Sequence, residues 1–290
     1  MSILKTSLLS LIALALGLVA LRAQAQTSLT FTTVDVPGAR STEVTGADID
    51  GNLVGFYVGA KGVSHGFHQV GGKITVINFP GSTGTVATGV DLDSFFIVGW
   101  YTDSASVAHG FELSGKTFKT INVPDAVWTR ALSVNTDGTI VGTYADRAGI
   151  VHGFLDKYGK GTFTTLDVPG APVSEITSIA NLGYMAATFV DSSGEERGFL
   201  GAAGTLESEI SFPGAGITVA SGVNDDAEIV GYYGATAAGP FSGFTYVGAE
   251  YKSIEVPGAT DTRCSGLSDP EELVGRYTDA AGKVHGFTAK

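Results

Sequence analysis

Six residues beyond each of six evenly spaced prolines stand Glu43, Val86, Arg130, Glu175, Val219 and Arg263, so the order Glu, Val, Arg occurs twice. Carboxylates and guanidiniums in that order can do two things. They can pair across neighbouring repeats, Arg130 with Glu175 and Arg263 with Glu43, or they can line a polar funnel that grips a ligand through charge-assisted hydrogen bonds. Trp128 and Arg40 fall in the same entry segments, and Asp103, Asp146, Asp191 and Asp279 recur in a second set of loops. An exposed indole beside Arg and carboxylates suits a sugar, whose apolar ring face stacks on the aromatic while its hydroxyls bond to charged groups. The candidate ligand-binding set is Glu43, Trp128, Arg130, Glu175 and Arg263, with no catalytic residue singled out. A polysaccharide hydrolase or lyase would instead use Glu43 or Glu175 as acid or base. Glycoside hydrolysis wants paired carboxylates about 5 to 10 Å apart, a span that glutamates on opposite sides of a ring could exceed. The recurrent aspartates also have a plainer use, since Asp side chains bond their own backbone in turns.

Other motifs carry less. Histidines precede Gly-Phe at 65, 109, 152 and 285. They are expected two strand spacings outside the innermost strand, spread apart by symmetry, and to serve packing, with Gly55 and Gly66 opposed and Phe67 in the core. Asp48-x-Asp50-Gly51-Asn52, Asp91-x-Asp93 and Asn135-x-Asp137-Gly138 resemble calcium loops but lack the distal bidentate acid, and Asp-Gly at a hairpin explains them. Gly62-Val63-Ser64-His65-Gly66 matches a nucleophile-elbow pattern that works only at a strand-to-helix turn. Here it falls in a hairpin. No metal or cofactor is expected.

These residues must be positioned by a repeat. Segments ending in proline recur as VDVPG (34–38), INFPG (77–81), INVPD (121–125), LDVPG (166–170), ISFPG (210–214) and IEVPG (254–258), with prolines 43 to 45 residues apart. Each is followed by a Val-Gly-aromatic segment and then by His-Gly-Phe or a variant; the fourth repeat, with Ala186-Ala187 for Val-Gly, departs furthest. Each repeat reads as four short strands, in the first roughly 42–49, 52–58, 63–70 and 74–79. Four-stranded units of this length are propeller blades. The expected fold is all-β: a six-bladed β-propeller, four antiparallel strands per blade, closed by the N-terminal strand, which carries the fourth-strand motif while the chain ends after a third-strand motif. Shared VDVPGA/LDVPGA in repeats 1 and 4, and Phe79 and Phe212 before proline in repeats 2 and 5, suggest duplication of a three-repeat unit.

The N-terminus reads as an export signal: Lys5, an apolar run from Leu8 to Leu21, then Ala23-Gln24-Ala25. The expected division is a signal peptide at 1–25 and a single domain at 26–290, secreted or periplasmic, monomeric and not membrane-inserted, since the run is too short to span a bilayer. Removing Lys5 and Arg22 turns a formal charge of −12 into −14, which disfavours nucleic acid and anionic lipid. The lone Cys264 excludes an internal disulfide; its repeat-equivalents are apolar, so a buried inert thiol is expected.

The Asp/Asn-rich turn, Val-Gly and His-Gly-Phe elements together resemble the probable extracellular HAF-repeat family over nearly all of residues 31–287. That resemblance implies a secreted repeat protein and transfers no activity. The function expected is a non-catalytic module that binds extracellular glycan or cell-surface material, with the polysaccharide-active enzyme and a purely structural surface protein as alternatives.

Overall fold

Short runs of β-branched and aromatic residues broken by Gly and Asp turns build antiparallel strands throughout, as their pleat-filling shapes favour. The computed structural model describes residues 29–91, 96–202, 205–268 and 272–290; the expected leader and Asp93 lie outside these residues. β1 (Phe31–Val34) precedes five four-stranded sheets. The first holds β2 (Ser41–Ala47), β3 (Leu53–Val58), β4 (Ser64–Val70) and β5 (Lys73–Ile77); the second, β6 (Gly84–Asp91), β7 (Phe96–Thr102), β8 (Ala108–Ser114) and β9 (Thr117–Ile121). The third holds β10 (Trp128–Val134), β11 (Ile140–Ala145), β12 (Val151–Asp156) and β13 (Phe163–Leu166); the fourth, β14 (Val173–Ile179), β15 (Tyr184–Val190), β16 (Glu196–Ala202) and β17 (Thr205–Ile210). The fifth holds β18 (Ile217–Val223), β19 (Ile229–Gly234), β20 (Phe241–Val247) and β21 (Glu250–Ile254). The sixth has β22 (Asp261–Leu267), β23 (Leu273–Thr278) and β24 (Val284–Ala289). Its fourth place is taken by β1, which pairs antiparallel with β24, Phe31 opposite Ala289 and Val34 opposite Gly286. The innermost strands β2, β6, β10, β14, β18 and β22 pack on one another in cyclic order, β22 returning to β2. The result is an all-β, propeller-like arrangement of four-stranded sheets.

The core repeats one contact. Gly55 lies directly opposite Phe67 across β3 and β4, and a Cβ there would run into the Glu43 carbonyl oxygen and stand 2.9 Å from the Phe67 ring. The bare glycine is what lets the ring lie flat on the sheet. Gly99 with Phe111, Gly142 with Phe154, Gly231 with Phe244 and Gly275 with Phe287 repeat it, and all five phenylalanines are fully buried. In the fourth sheet Ala187 stands opposite Phe199, and Phe199 is only partly buried. The extra methyl holds that ring off. The histidine-side glycine, Gly66, stands opposite Phe56 and not Gly55, and is crowded by the Ala87 backbone of the next sheet and by Ile77 of its own.

Each innermost strand carries one β-bulge, between Val44 and Gly46 in β2 and at the equivalent place in the other five. The extra residue turns its side chain toward the neighbouring sheet: Thr45 donates to the Ala87 carbonyl at 2.9 Å, Thr88 to Ala131 at 3.0 Å and Thr177 to Ala220 at 2.8 Å. Bulges re-aim side chains in this way. The prolines mark a second latch. The backbone N–H of Val36, Phe79, Val123, Val168, Phe212 and Val256 donates to the hydroxyl six residues on, at 2.9 to 3.1 Å. This ties each outer strand to the inner strand that follows it.

The turns explain where strands end. β2 stops at Ala47, two residues short of expectation, because the Asp48 carboxylate leaves the ladder to accept from the backbone of Asp50 and Asn52. Asp103, Asp146, Asp191 and Asp279 each accept from the N–H groups two and four residues on. These carboxylates make turns, as their type favours. Stacked Phe79–Tyr101 and Phe212–Tyr233, both with centroids 3.6 Å apart, match repeat 2 to repeat 5, in keeping with the duplicated three-repeat pattern.

Candidate functional site

The six inner strands surround a cavity of about 610 Å³ whose wall includes Glu43, Thr45, Thr88, Ser133, Glu175, Ser221, Tyr232 and Ser265. Bulge-borne hydroxyls and the two glutamates make that wall polar. Arg130, Arg263 and Trp128 do not reach the wall; they cluster beside the glutamates, near the starts of their strands.

Neither expected inter-repeat pair forms as a contact. Glu43 pairs with Arg276 at 3.3 Å and accepts from Ser265 at 3.3 Å. Arg263 turns to Asp261 on its own strand, Nε to Oδ1 at 3.0 Å, because a carboxylate two residues away on the same face of a strand is closer than one on the next sheet. Glu175 and Arg130 attract one another without a hydrogen bond.

The arginines are held by aromatic faces. The Arg130 Cζ lies 4.7 Å from the Trp100 ring centroid and 4.9 Å from that of Trp128. The Arg263 Cζ lies 5.0 Å from Tyr232 and 4.1 Å from Phe241. Such contacts contribute about 0.5–2 kcal/mol each, more when desolvated. Trp100 and Tyr232 occupy the same position of repeats 2 and 5, directly opposite Val86 and Val219.

Burial dominates the electrostatics. It pushes the Glu43 carboxyl up against the pull of Arg276 and Arg263. It also raises Glu175, with Glu196 adding to the rise and Arg130 opposing it. Desolvation lowers Arg130 and raises Tyr232. Neighbouring charges link these groups in a chain: Arg130 and Glu196 act on Glu175, Glu196, Arg263 and Arg276 on Tyr232, and Arg263 and Arg276 on Glu43.

Sequence reasoning missed Trp100, Tyr232, Phe241, Asp261 and Arg276. A signal was present: the position after Val-Gly is Phe56, Trp100, Thr143, Tyr232 and Arg276 in five repeats, far more varied than its surroundings, and it sits across the hairpin from the Glu/Val/Arg position.

Other candidates have structural partners. Arg40 is exposed and docks its N–H on the Val58 carbonyl at 2.8 Å. Each of the four His-Gly-Phe histidines stacks on a tyrosine and reaches the residue just past the outer strand: His65 to Asn78, His109 to Asn122, His152 to Asp167 and His285 to Asp35, at 2.8 to 3.0 Å. The second ring nitrogen of His109 and of His285 meets the turn aspartate, Asp103 or Asp279, at 3.2 Å. They are tethers between turn and outer strand as well as packing groups. Ser64 starts β4 inside a hairpin, opposite Val58. Cys264 is fully buried and its thiol is pushed up to about 12 by desolvation.

No known protein family matches the chain by sequence, and no curated protein does. Solved structures do match in shape. The SapL1 lectin in complex with alpha methyl fucoside superposes with a TM-score of 0.56 at 11% identity, covering 86% of this chain and 93% of that one. The fungal Aleuria aurantia lectin, a six-bladed β-propeller with a fucose recognition mode of its own, gives 0.52 at 12% identity over 89% and 93%. A chain of the nidogen/laminin complex gives 0.53 at 12% over 80% and 90%. Identities this low carry the fold and nothing finer.

Proposed function

We propose that this protein is a six-bladed β-propeller, sealed by the pairing of β1 with β24, that is exported by its N-terminal leader and binds extracellular glycan at the mouth of its central channel. The observation that carries the proposal is the arginine–aromatic cluster beside two half-buried glutamates. It combines flat apolar faces for a sugar ring with charged donors and acceptors for hydroxyls, beside the concave cavity that Glu43, Glu175 and Tyr232 line. The lectins of similar shape recognise fucose or are in complex with a fucoside, which supports sugar binding by this scaffold in principle; membership of the HAF-repeat family is proposed on the motifs alone. The chain is proposed to act as a monomer.

A hydrolase or lyase is the second reading, favoured by the raised proton affinities of Glu43 and Glu175, since a carboxyl held up by burial is poised to act as an acid. Their strands, β2 and β14, belong to the first and fourth sheets of the cycle, on opposite sides of the ring. The test is a glycan array on residues 26–290, with the same polysaccharides incubated and assayed for new reducing ends or unsaturated products. Binding without products, lost in Trp128→Ala, supports the binding module. Products abolished by Glu43→Gln or Glu175→Gln replace it with the enzyme.

A further inference from the structure

The two arginine clusters are built alike and finished differently. Each guanidinium has two aromatic neighbours, one of them from the equivalent position of the preceding sheet, Trp100 or Tyr232. For Arg263 the second ring is Phe241, at the start of β20; the equivalent residue beside Arg130 is Ala108, too small to serve. For Arg130 the second ring is Trp128, two residues earlier on its own strand. That is the place where Arg263 has Asp261, whose Oδ1 takes its Nε at 3.0 Å and whose Oδ2 lies 3.5 Å from Nη2. Replacing the carboxylate by an indole, which donates and does not accept, leaves Arg130 without an anionic partner on its edge. Its Nε is buried with no acceptor, and the nearby Glu175 attracts it without hydrogen-bonding to it.

From this asymmetry we infer that the Trp100–Arg130–Trp128 cluster is a receptor for an exogenous carboxylate carried on a sugar ring, that is, a uronic acid residue of an acidic glycan. The protein supplies its own template: Asp261 on Arg263 shows the group that completes an aromatic-flanked arginine here, and a planar carboxylate fits the guanidinium fork bidentately. The indole that displaced the aspartate offers the face on which the sugar ring stacks. A buried guanidinium donor left without an acceptor is costly, so the ligand carboxylate relieves a deficit that a neutral sugar would leave. This rests on the glycan-binding proposal and narrows it to acidic sugars.

Trp100 and Trp128 are the two tryptophans of the chain, so intrinsic fluorescence reports on this cluster directly. Full-length mature protein is titrated with oligogalacturonate and oligomannuronate, with the methyl ester of each, with a neutral oligosaccharide of equal length and with triglutamate. At least one free acid is expected to shift the fluorescence and to bind about 10-fold or more tightly than its ester. Arg130→Gln should erase that preference, and Arg130→Lys should keep part of it. Trp128→Asp, which copies the Asp261 arrangement, should fold and lose the acid preference too, which guards against Arg130→Gln failing through instability. Equal binding of acid and ester, or of acid and neutral oligosaccharide, overturns the inference while leaving glycan binding intact. Triglutamate binding as tightly as the uronates overturns the sugar half. Binding of no saccharide at all sinks both proposals.

Discussion

Glu43 meets Arg276 at 3.3 Å across the boundary between the first and sixth sheets. The pair is not enough to keep the carboxylate at its ordinary proton affinity, because burial outweighs the charge of Arg276. The folded state therefore binds a proton at Glu43 more readily than the unfolded chain does. By linkage, the stability contributed by the protonated form is present below the ordinary glutamate range and is lost as pH rises through the raised folded value. Glu43→Gln has no such loss. The melting temperature of the variant relative to the parent is expected to climb between pH 4 and pH 8, measured by circular dichroism at each pH. A difference that stays flat would mean that burial and the opposing pull of Arg276, Ser265 and Arg263 cancel, and one that falls would mean that the pull wins.

The glycine opposite each core phenylalanine predicts a sharp contrast. In Gly142→Ala the new Cβ would meet the Arg130 carbonyl oxygen and stand 2.8 Å from the Phe154 ring. Backbone cannot yield as a side chain tip can, so a loss of about 2–4 kcal/mol is expected. The converse change, Ala187→Gly, removes the methyl that keeps Phe199 partly exposed. It should cost no more than about 1 kcal/mol, the entropic penalty of glycine, and let Phe199 sink to full burial. Denaturant melts of both variants, with a crystal structure of the second, decide it; a Gly142→Ala protein as stable as the parent would show that the sheet can breathe there.

Cys264 is expected to be silent toward thiol reagents in the native state. Its side chain fills the space over Gly243, where a Cβ would lie 2.7 Å from Sγ, and a thiol pushed up to about 12 carries almost no thiolate at neutral pH. Ellman's reagent should report one reactive thiol in guanidinium and none in buffer. Fast labelling of folded protein would contradict the packed interface.

The repeat period carried the fold: four strands per unit, the turn aspartates, the buried phenylalanines and the buried cysteine all follow from residue types recurring in phase, whereas the expected opposition of Gly55 and Gly66 is off by one residue, Gly55 facing Phe67 and Gly66 facing Phe56. Part of the site was legible by the same means, since Glu43, Arg130, Glu175 and Arg263 do gather at one end of the inner strands. What the repeat could not show was who partners whom. Asp261 captures Arg263 because alternate residues of a strand share a face, a local effect that outcompetes the neighbouring sheet. Arg276 reaches Glu43 from a second strand, a contact set by how two sheets pack and not by spacing along the chain. Trp100 was visible only as a departure from the repeat, and its importance lies in being placed against Arg130 by the adjoining sheet.

His152 should make stability depend on pH in the opposite region. Burial alone would lower it, but hydrogen bonds and charge from Asp167 and Asp146 together raise its proton affinity. Asp167 lies 2.8 Å from Nδ1 and Asp146 3.6 Å from Nε2. A raised folded value means the stabilisation is complete below the ordinary histidine range near 6.5 and is lost as pH rises through the folded value. His152→Gln should therefore melt below the parent by more at pH 5.5 than at pH 8.5. Thermal melts at the two pH values measure it, and an equal gap would assign the histidine to packing on Tyr144 alone.

The proposed seal rests on the side chains that β1 and the two residues after it place against the sixth sheet. β1 contributes Val34 to the core, with Val36 just beyond it; Thr33 bonds to the Tyr277 hydroxyl at 2.9 Å. Asp35 holds His285 at 2.8 Å and Lys283 at 3.4 Å. If these contacts close the ring, a chain beginning at Gly38 leaves β24 as an open edge with its backbone groups unpaired, a template for aggregation. That truncation should lose the cooperative melt or associate, a chain beginning at Gln26 should behave as the parent, and Asp35→Asn should fall between them. Size-exclusion chromatography with thermal melts separates the three. A chain from Gly38 that stays monomeric and melts like the one from Gln26 would mean that β1 decorates the sixth sheet, and that contacts between the inner strands β22 and β2 close the ring on their own.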